Sequence, residues 1–362
     1  MTPDRRGDRQ AAVRVALERE GLDSLLITHL PNIRYLTGFT GSAGMLLVER
    51  ERTVLVTDFR YAVQGPQEVG NSAAVEVDPA NVWDRLARVL TAAGVTTVGI
   101  ESHVMTVRDA ARLGALPRLR VTPTSDIVER LRAMKAPEEV AAIRAAAALA
   151  QEALEELLPS IKVGHAEQEI AARLEEGLRR RGSEWHPFPT IVASGPRAAL
   201  PHARTSSRTV GRGEWLLLDF GAQVDGYCAD LTRTVIVGAR ADARQRAVYD
   251  VVRAAQSRAI AGIQAGQTGR DADALARDLI ATRGFGDAFG HSLGHGLGLE
   301  VHEAPRLSPT AEAPLPPHAV VTVEPGIYLP GWGGVRLEDD VYLGPDGSVC
   351  LSDNRTELVE LS

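Results

Sequence analysis

The chain has 362 residues, 44% hydrophobic and 24% charged, an ordinary balance for a globular protein with room for two domains. Net charge is −7, and lysine and arginine cluster only in short runs such as Arg179-Arg180-Arg181, so nucleic acid and anionic membrane are excluded as main partners. No apolar stretch approaches the ~20 residues of a membrane span. The start, MTPDRRGDRQ, lacks the apolar run of a signal peptide, so a cytoplasmic protein is expected. Two cysteines, Cys228 and Cys350, are no disulfide framework, although one long-range bridge stays open.

Taken in chain order, residues 8–20 read as an amphipathic helix ended by Gly21. LDSLLIT (22–28) reads as a buried strand, and AGMLLVE (43–49) with RTVLVTD (52–58) as a paired meander. A helix over 82–94, a strand over 96–102 and a helix over 106–115 complete a small α/β unit. Ser125 or Asp126 can cap a short helix, and Pro137 opens a new one, where its missing N–H costs nothing. The domain boundary is placed there, giving domains 1–130 and 131–362. Helices follow over 137–158, 165–181, 241–264 and 270–283, with strands at 188–193, 214–221, 227–237, 319–324 and 335–343. The run Arg179–Arg181 reads as a solvated helix end.

Three histidines fall in HSLGHGLGLEVHEAP (291–305). Glycines interleave them, each costing roughly 1 kcal/mol in a helix, so an irregular or strand-like segment is expected. Such density of glycine suggests bends or a close backbone approach. In EWLLLDFGAQVDGYCADLTRTVIVG (214–238), Asp225-Gly226 between apolar runs signals a two-residue hairpin. That turn pairs Val224 with Tyr227 and Gly221 with Asp230, and makes Asp219 a diagonal neighbour of Asp230 on one face, roughly 7–8 Å away. Each acid has a bland alternative: a surface strand end for Asp219, an ion pair with Arg233 for Asp230. Glu324 closes a β-branched run before Pro325-Gly326, and Arg336 and Glu338 share a face of the next strand. Carboxylates converging among apolar strands are costly unless paired or bound to metal. Four carboxylates balance two divalent cations, and with one imidazole they form an oxygen-rich set suited to Mn²⁺, Co²⁺, Fe²⁺ or Zn²⁺.

DFGAQVDGYCADLTRT, HSLGHGLGLEVHE, VEPGIY and GGVRLEDD resemble the signature segments of the pita-bread metallopeptidases, the family of prolidase, aminopeptidase P, methionine aminopeptidase and creatinase. The likeness covers about 137–362, while PNIRYLTGFTGSAG and TDFRYAVQ resemble the creatinase-like N-terminal domain of the Xaa-Pro peptidases. It implies an α/β fold with a pita-bread C-terminal domain, two divalent ions (Mn²⁺ first, Co²⁺ or Zn²⁺ next), proline-containing peptides or dipeptides as substrates, and a homodimer. By this resemblance Asp219, Asp230, His295, Glu324 and Glu338 hold the metals, with Asp230 and Glu338 bridging. His302 touches the scissile-bond oxygen or the tetrahedral intermediate, and His291 lines the proline subsite. His202 matches a further histidine near the site, with a catalytic and substrate-binding role, and Arg336 holds Glu338 or the acids on the Asp225 side. Glu324 relays a proton to the leaving nitrogen. The expected activity is that of an Xaa-Pro aminopeptidase, on the strength of TDFRYAVQ. The alternatives are an Xaa-Pro dipeptidase and a non-catalytic peptide-binding module on the same fold.

Overall fold

In the computed structural model, which describes residues 4–352 and 355–362, the chain divides after Arg132 into two units. The first runs α1 (Arg6–Glu20), β1 (Ser24–Ile27), α2 (Leu30–Thr37), β2 (Met45–Glu49), β3 (Thr53–Asp58), α3 (Gln64–Val69), β4 (Ala74–Asp78), α4 (Val82–Ala92), β5 (Thr97–Glu101), α5 (Val107–Gly114), β6 (Arg120–Thr124) and α6 (Ile127–Arg132). Gly21 ends α1 in a left-handed conformation, φ 66°, that a side chain would resist. The strands form one sheet in the order β4-β3-β2-β1-β5-β6. Strands β2 and β3 are the expected antiparallel meander, whereas β1, β5 and β6 are parallel. Leu26, Leu47, Val56 and Val98 of the sheet pack with Leu86 and Leu90 of α4.

The second unit begins with α7 (Pro137–Leu157) and α8 (Glu167–Arg180). Pro137 sits in the first turn of α7, and the Glu139 carboxylate takes the Ala136 N–H at 2.8 Å, satisfying one of the amides a helix start leaves over. Strands β7 (Ile191–Ser194), β8 (Glu214–Val224) and β9 (Tyr227–Val237) follow, then α9 (Ala243–Gly262) and α10 (Gly269–Thr282). The chain finishes with β10 (Gly294–Gly296), β11 (Glu303–Leu307), β12 (Val320–Val323), β13 (Gly326–Leu329), β14 (Gly333–Arg336), β15 (Asp339–Gly344), β16 (Gly347–Cys350) and β17 (Glu360–Leu361). The sheet orders are β17-β9-β8-β7 and β11-β10-β12-β15-β16, with β13 and β14 paired separately.

The β8–β9 hairpin is the frame of this unit. Asp225 and Gly226 both have positive φ, 51° and 79°, the conformation a tight turn needs to match strand twist. Its register is Val224↔Tyr227, Gly221↔Asp230 and Asp219↔Thr232. Leu216, Leu218 and Phe220 are fully buried and pack against Ile170 and Leu174 of α8. Burying each contributes roughly 1.5–3 kcal/mol. Trp215 and Leu217, one residue out of phase, belong to the other core, with Val248, Val321 and Val335. Asp219 and Asp230 therefore share the hairpin face turned toward that core.

The expected single strand over 335–343 is two strands. β14 pairs with β13, and β15 pairs with β12 and β16. Between them Glu338 donates its N–H to Thr232 of β9 at 3.1 Å, so Glu338 sits where the chain passes from one sheet to the other. Both cysteines are free thiols, so no long-range bridge forms. Among the described residues no helix is long and apolar enough to cross a membrane.

Candidate metal centre

One cavity of about 600 Å³ in the second unit is lined by Asp219, Asp230, His202, His291, His295, His302, Glu324, Arg336 and Glu338, every site residue singled out above. Phe188, Pro189, Ile191 and Pro201 supply apolar wall, and Arg204 a further cation.

Each polar side chain is aimed by its element. His295 is held on β10 between β11 and β12. A Cβ at Gly294 would lie 2.0 Å from the Thr322 carbonyl oxygen, and one at Gly296 would lie 2.1 Å from that of Ala304. These glycines therefore let β10 pass close to its neighbouring backbone. The close approach expected from their density is to protein, not to an ion. The His295 amide donates to Thr322 Oγ1 at 3.1 Å, and ring Nδ1 meets the Gly296 carbonyl at 3.1 Å. That carbonyl can only accept, so Nδ1 carries the proton and the Nε2 lone pair is left for a ligand. Nε2 lies 3.5 Å from Glu324 Oε1 and 3.8 Å from Asp230 Oδ2. Ligand atoms of Asp230, His295 and Glu338 all fall within 4.8 Å of one another.

Thr232 and Arg336 join the hairpin to the Glu338 crossing. Thr232 Oγ1 donates to Glu338 Oε2 at 2.6 Å and accepts from Arg336 Nε at 3.1 Å. Arg336 Nη2 pairs with Asp219 Oδ2 at 2.5 Å, and Nη1 donates to the Tyr328 hydroxyl at 2.8 Å. Arg336 was expected to hold Glu338 or the acids near Asp225; it holds Asp219 directly and reaches Glu338 through Thr232. Arg233 pairs with Asp339 at 2.7 Å, which removes the bland reading of Asp230 as its partner. The Asp230 N–H is instead accepted by Asp340 at 3.2 Å. His291 Nε2 meets the Tyr328 hydroxyl at 2.8 Å, and its Nδ1 lies 3.9 Å from Glu324. The His302 ring stands 4.3 Å from that of His295, and His302 itself is exposed to solvent.

The electrostatics are those of a site built around positive charge. Burial first, then Glu338, Asp219 and Glu324, push the Asp230 carboxyl well above its ordinary range. Burial and the neighbouring acids do the same to Glu338. Burial raises Asp219 against the opposing charge of Arg336, and lifts Glu324 to about 8. Burial brings His295 down to about 3 and His291 to about 4, so both rings are neutral at pH 7. Oδ1 of Asp219 and Oδ1 of Asp230 are buried with no hydrogen-bond partner. A buried carboxylate oxygen without a partner is costly. Divalent cations would resolve both the excess negative charge and the orphaned oxygens, and the oxygen-rich donor set with one imidazole fits them.

Sequence reasoning missed Thr232, Tyr328, Asp340 and Arg306. The first three have no local signal, because their meaning lies in long-range contacts. Arg306 faces His295 across the β10–β11 pairing, and its charge helps hold both His295 and His302 low.

Residues 141–345 match the model of metallopeptidase family M24, and residues 9–134 match the creatinase/prolidase N-terminal domain. An uncharacterized peptidase of Bacillus subtilis, YqhT, is 42% identical over 94% of this chain and 96% of its own. An Xaa-Pro dipeptidase of Pyrococcus horikoshii is 33% identical over 95% and 96%. Among solved structures, the Xaa-Pro dipeptidase from Bacillus anthracis superposes with a TM-score of 0.95 at 38% identity, covering 98% of this chain and all of that one. An X-Pro aminopeptidase from Thermotoga maritima gives 0.87 at 37%, covering 96% of this chain and 100% of that one. The expected α/β architecture, a creatinase-like N-terminal domain followed by a pita-bread domain, is thus the one found.

Proposed function

The chain belongs to metallopeptidase family M24, and within that family we propose that it is an Xaa-Pro dipeptidase, cleaving the bond between an N-terminal residue and a terminal proline. The convergence of Asp219, Asp230, His295, Glu324 and Glu338 on one cavity, with two buried carboxylate oxygens left unpartnered, carries the reading. The same convergence disfavours a non-catalytic peptide-binding module, which has no need of unscreened buried acids.

Asp219, Asp230, His295, Glu324 and Glu338 would hold the divalent ions. Mn²⁺ suits so oxygen-rich a set. When bound, such ions polarise a carbonyl and acidify a water toward neutrality. The residues do the rest. Arg336 and Thr232 fix the carboxylates of Asp219 and Glu338. Neutral His302 donates a hydrogen bond to the oxyanion that develops on the scissile carbonyl. Glu324, between His291 and His295, takes the proton released from water and returns it to the leaving proline nitrogen. His291, oriented by Tyr328, lines the proline pocket with Phe188 and Ile191, and His202 stands on the substrate side.

The dipeptidase reading replaces the aminopeptidase expectation, which leaned on TDFRYAVQ. In that segment Asp58 caps a short turn by accepting the Arg60 N–H, and Tyr61 bonds Ser42, so its sequence has a local structural account. A dipeptidase must grip a free proline carboxylate. Arg204 lines the cavity and is a cation available there for that task, and the similarity to Xaa-Pro dipeptidases of Pyrococcus horikoshii and Bacillus anthracis supports the dipeptidase reading. The test is to strip the protein with chelator and restore it with Mn²⁺ or Co²⁺. Hydrolysis of Xaa-Pro should vanish and return, while Xaa-Ala is cleaved poorly throughout; full activity of metal-free protein would overturn the reading.

A further inference from the structure

The first unit holds a second cluster of metal-ligating side chains, remote in sequence from the centre above. His29 follows β1 as the residue before α2, His103 follows β5, and Glu129 lies in α6, which follows β6. Strands β1, β5 and β6 are parallel neighbours, so their carboxyl ends lie side by side. In open α/β sheets that edge is where ligands bind, because loops converge there from separate strands.

One donor atom from each of His29, His103 and Glu129 lies within 4.8 Å of the other two. His103 Nε2 and Glu129 Oε1 are 3.4 Å apart. That exceeds the usual N–H···O range, and no hydrogen bond joins them. It matches the roughly 3.3 Å between neighbouring ligand atoms when each sits about 2.0–2.1 Å from a tetrahedral zinc. The His29 and His103 rings meet edge to face at 5.4 Å, which brings the two imidazoles together at this edge.

A buried polar frame holds the donors. The Glu101 carboxylate takes the N–H groups of Thr28 and His29 at 2.7 and 2.9 Å, and the Asn32 amide at 2.7 Å. Asn32, itself fully buried, also donates to Glu129, and its carbonyl accepts from Arg132 at 2.8 Å. Partners of this kind fix ligand orientation around a metal. Glu101 and Glu129 bring two negative charges to this edge and Arg132 one positive, leaving an excess that a divalent cation offsets.

We propose that His29, His103 and Glu129 bind one divalent transition ion of the nitrogen-preferring kind, with zinc as the fitting example. Two imidazoles and one carboxylate contrast with the oxygen-rich centre of the second unit, so the two sites differ in metal preference. The bound ion clips the β1–α2 connection, the loop after β5 and α6 together.

The test uses the full chain, saturated with Mn²⁺ and then titrated with Zn²⁺ by calorimetry, for wild type, His103→Ala and Glu129→Gln. His103 exposes 41% of its side chain, so its replacement leaves the fold intact. Wild type should bind one more zinc per chain than either variant, and zinc should slow amide exchange over residues 127–132 in wild type alone. Mn²⁺-dependent peptidase activity should stay within about twofold in both variants. Equal zinc stoichiometry and affinity in wild type and His103→Ala would overturn the proposal, whatever Glu129→Gln does.

Discussion

Replacing Asp230 with asparagine perturbs the proposed centre at its most crowded point. Asp230 is buried, faces His295 and Glu324, and has one oxygen without a partner. In metal-free protein, burial raises the folded-state pKa values of Asp219, Asp230, Glu324 and Glu338, and repulsion from neighbouring acids adds to it at the last three. The folded chain then holds more protons than the unfolded one, so stability falls as pH rises from the ordinary carboxylate range through the folded values. For Glu324 that window runs from 4.5 to about 8. Metal-free wild type should therefore melt lower at pH 8 than at pH 5.5, and Asp230→Asn, with one such group removed, should show a shallower decline. Metal reverses the sign by binding only the folded state. At a hundredfold excess over the dissociation constant, one site adds about 2.7 kcal/mol. At about 2–4 °C per kcal/mol for a domain of this class, that is a rise of roughly 5–10 °C. Thermal melts of both proteins, with and without Mn²⁺, should show the full rise in wild type and a clearly smaller one in Asp230→Asn. Equal metal-induced shifts would show that Asp230 is no ligand, and the centre would have to be redrawn.

Three further changes separate the roles around the cavity. His302→Ala should lower turnover roughly 10²–10³-fold with metal content unchanged, read by steady-state kinetics beside elemental analysis; loss of metal instead would mean that His302 is a ligand. Thr232→Val keeps the shape but breaks the link between Glu338 and Arg336, so Mn²⁺ affinity should drop about 10–100-fold in a binding titration. Unchanged affinity would remove Thr232 from the account. Arg204→Leu should raise KM for an Xaa-Pro dipeptide about tenfold, near 1.4 kcal/mol, and leave the Xaa-Pro amide almost untouched; equal effects on both would deny it the carboxylate.

What could be read in the chain was whatever short spacing dictates. Asp225-Gly226 fixes a turn, the turn fixes the register, and the register puts Asp219 and Asp230 on one face before any long-range contact is considered. The glycines around His295 announced a close approach, but whether to metal or to backbone depended on where β11 and β12 lie, which no local pattern encodes. Strand alternation failed at 335–343 because the chain changes sheets there, and a switch between partners leaves no trace in hydrophobic period. Edge strands β4 and β6, with half-exposed residues and a proline in β6, carry too little apolar pattern to be recognised. Helix α2 is only eight residues long and was hidden in the segment PNIRYLTGF. Thr232 and Tyr328 gain their meaning from Arg336, 104 and 8 residues away.

The central claim is that this chain hydrolyses the Xaa-Pro bond of a dipeptide, and one comparison tests it most directly. Mn²⁺-loaded protein is assayed on an Xaa-Pro dipeptide and on the matching Xaa-Pro-Xaa tripeptide, and kcat/KM is measured for both. The account predicts that the dipeptide is preferred by at least about tenfold, because its free proline carboxylate meets a cation that the tripeptide cannot engage in the same place. A tripeptide cleaved as well as or better than the dipeptide would contradict it and return the chain to the aminopeptidase reading.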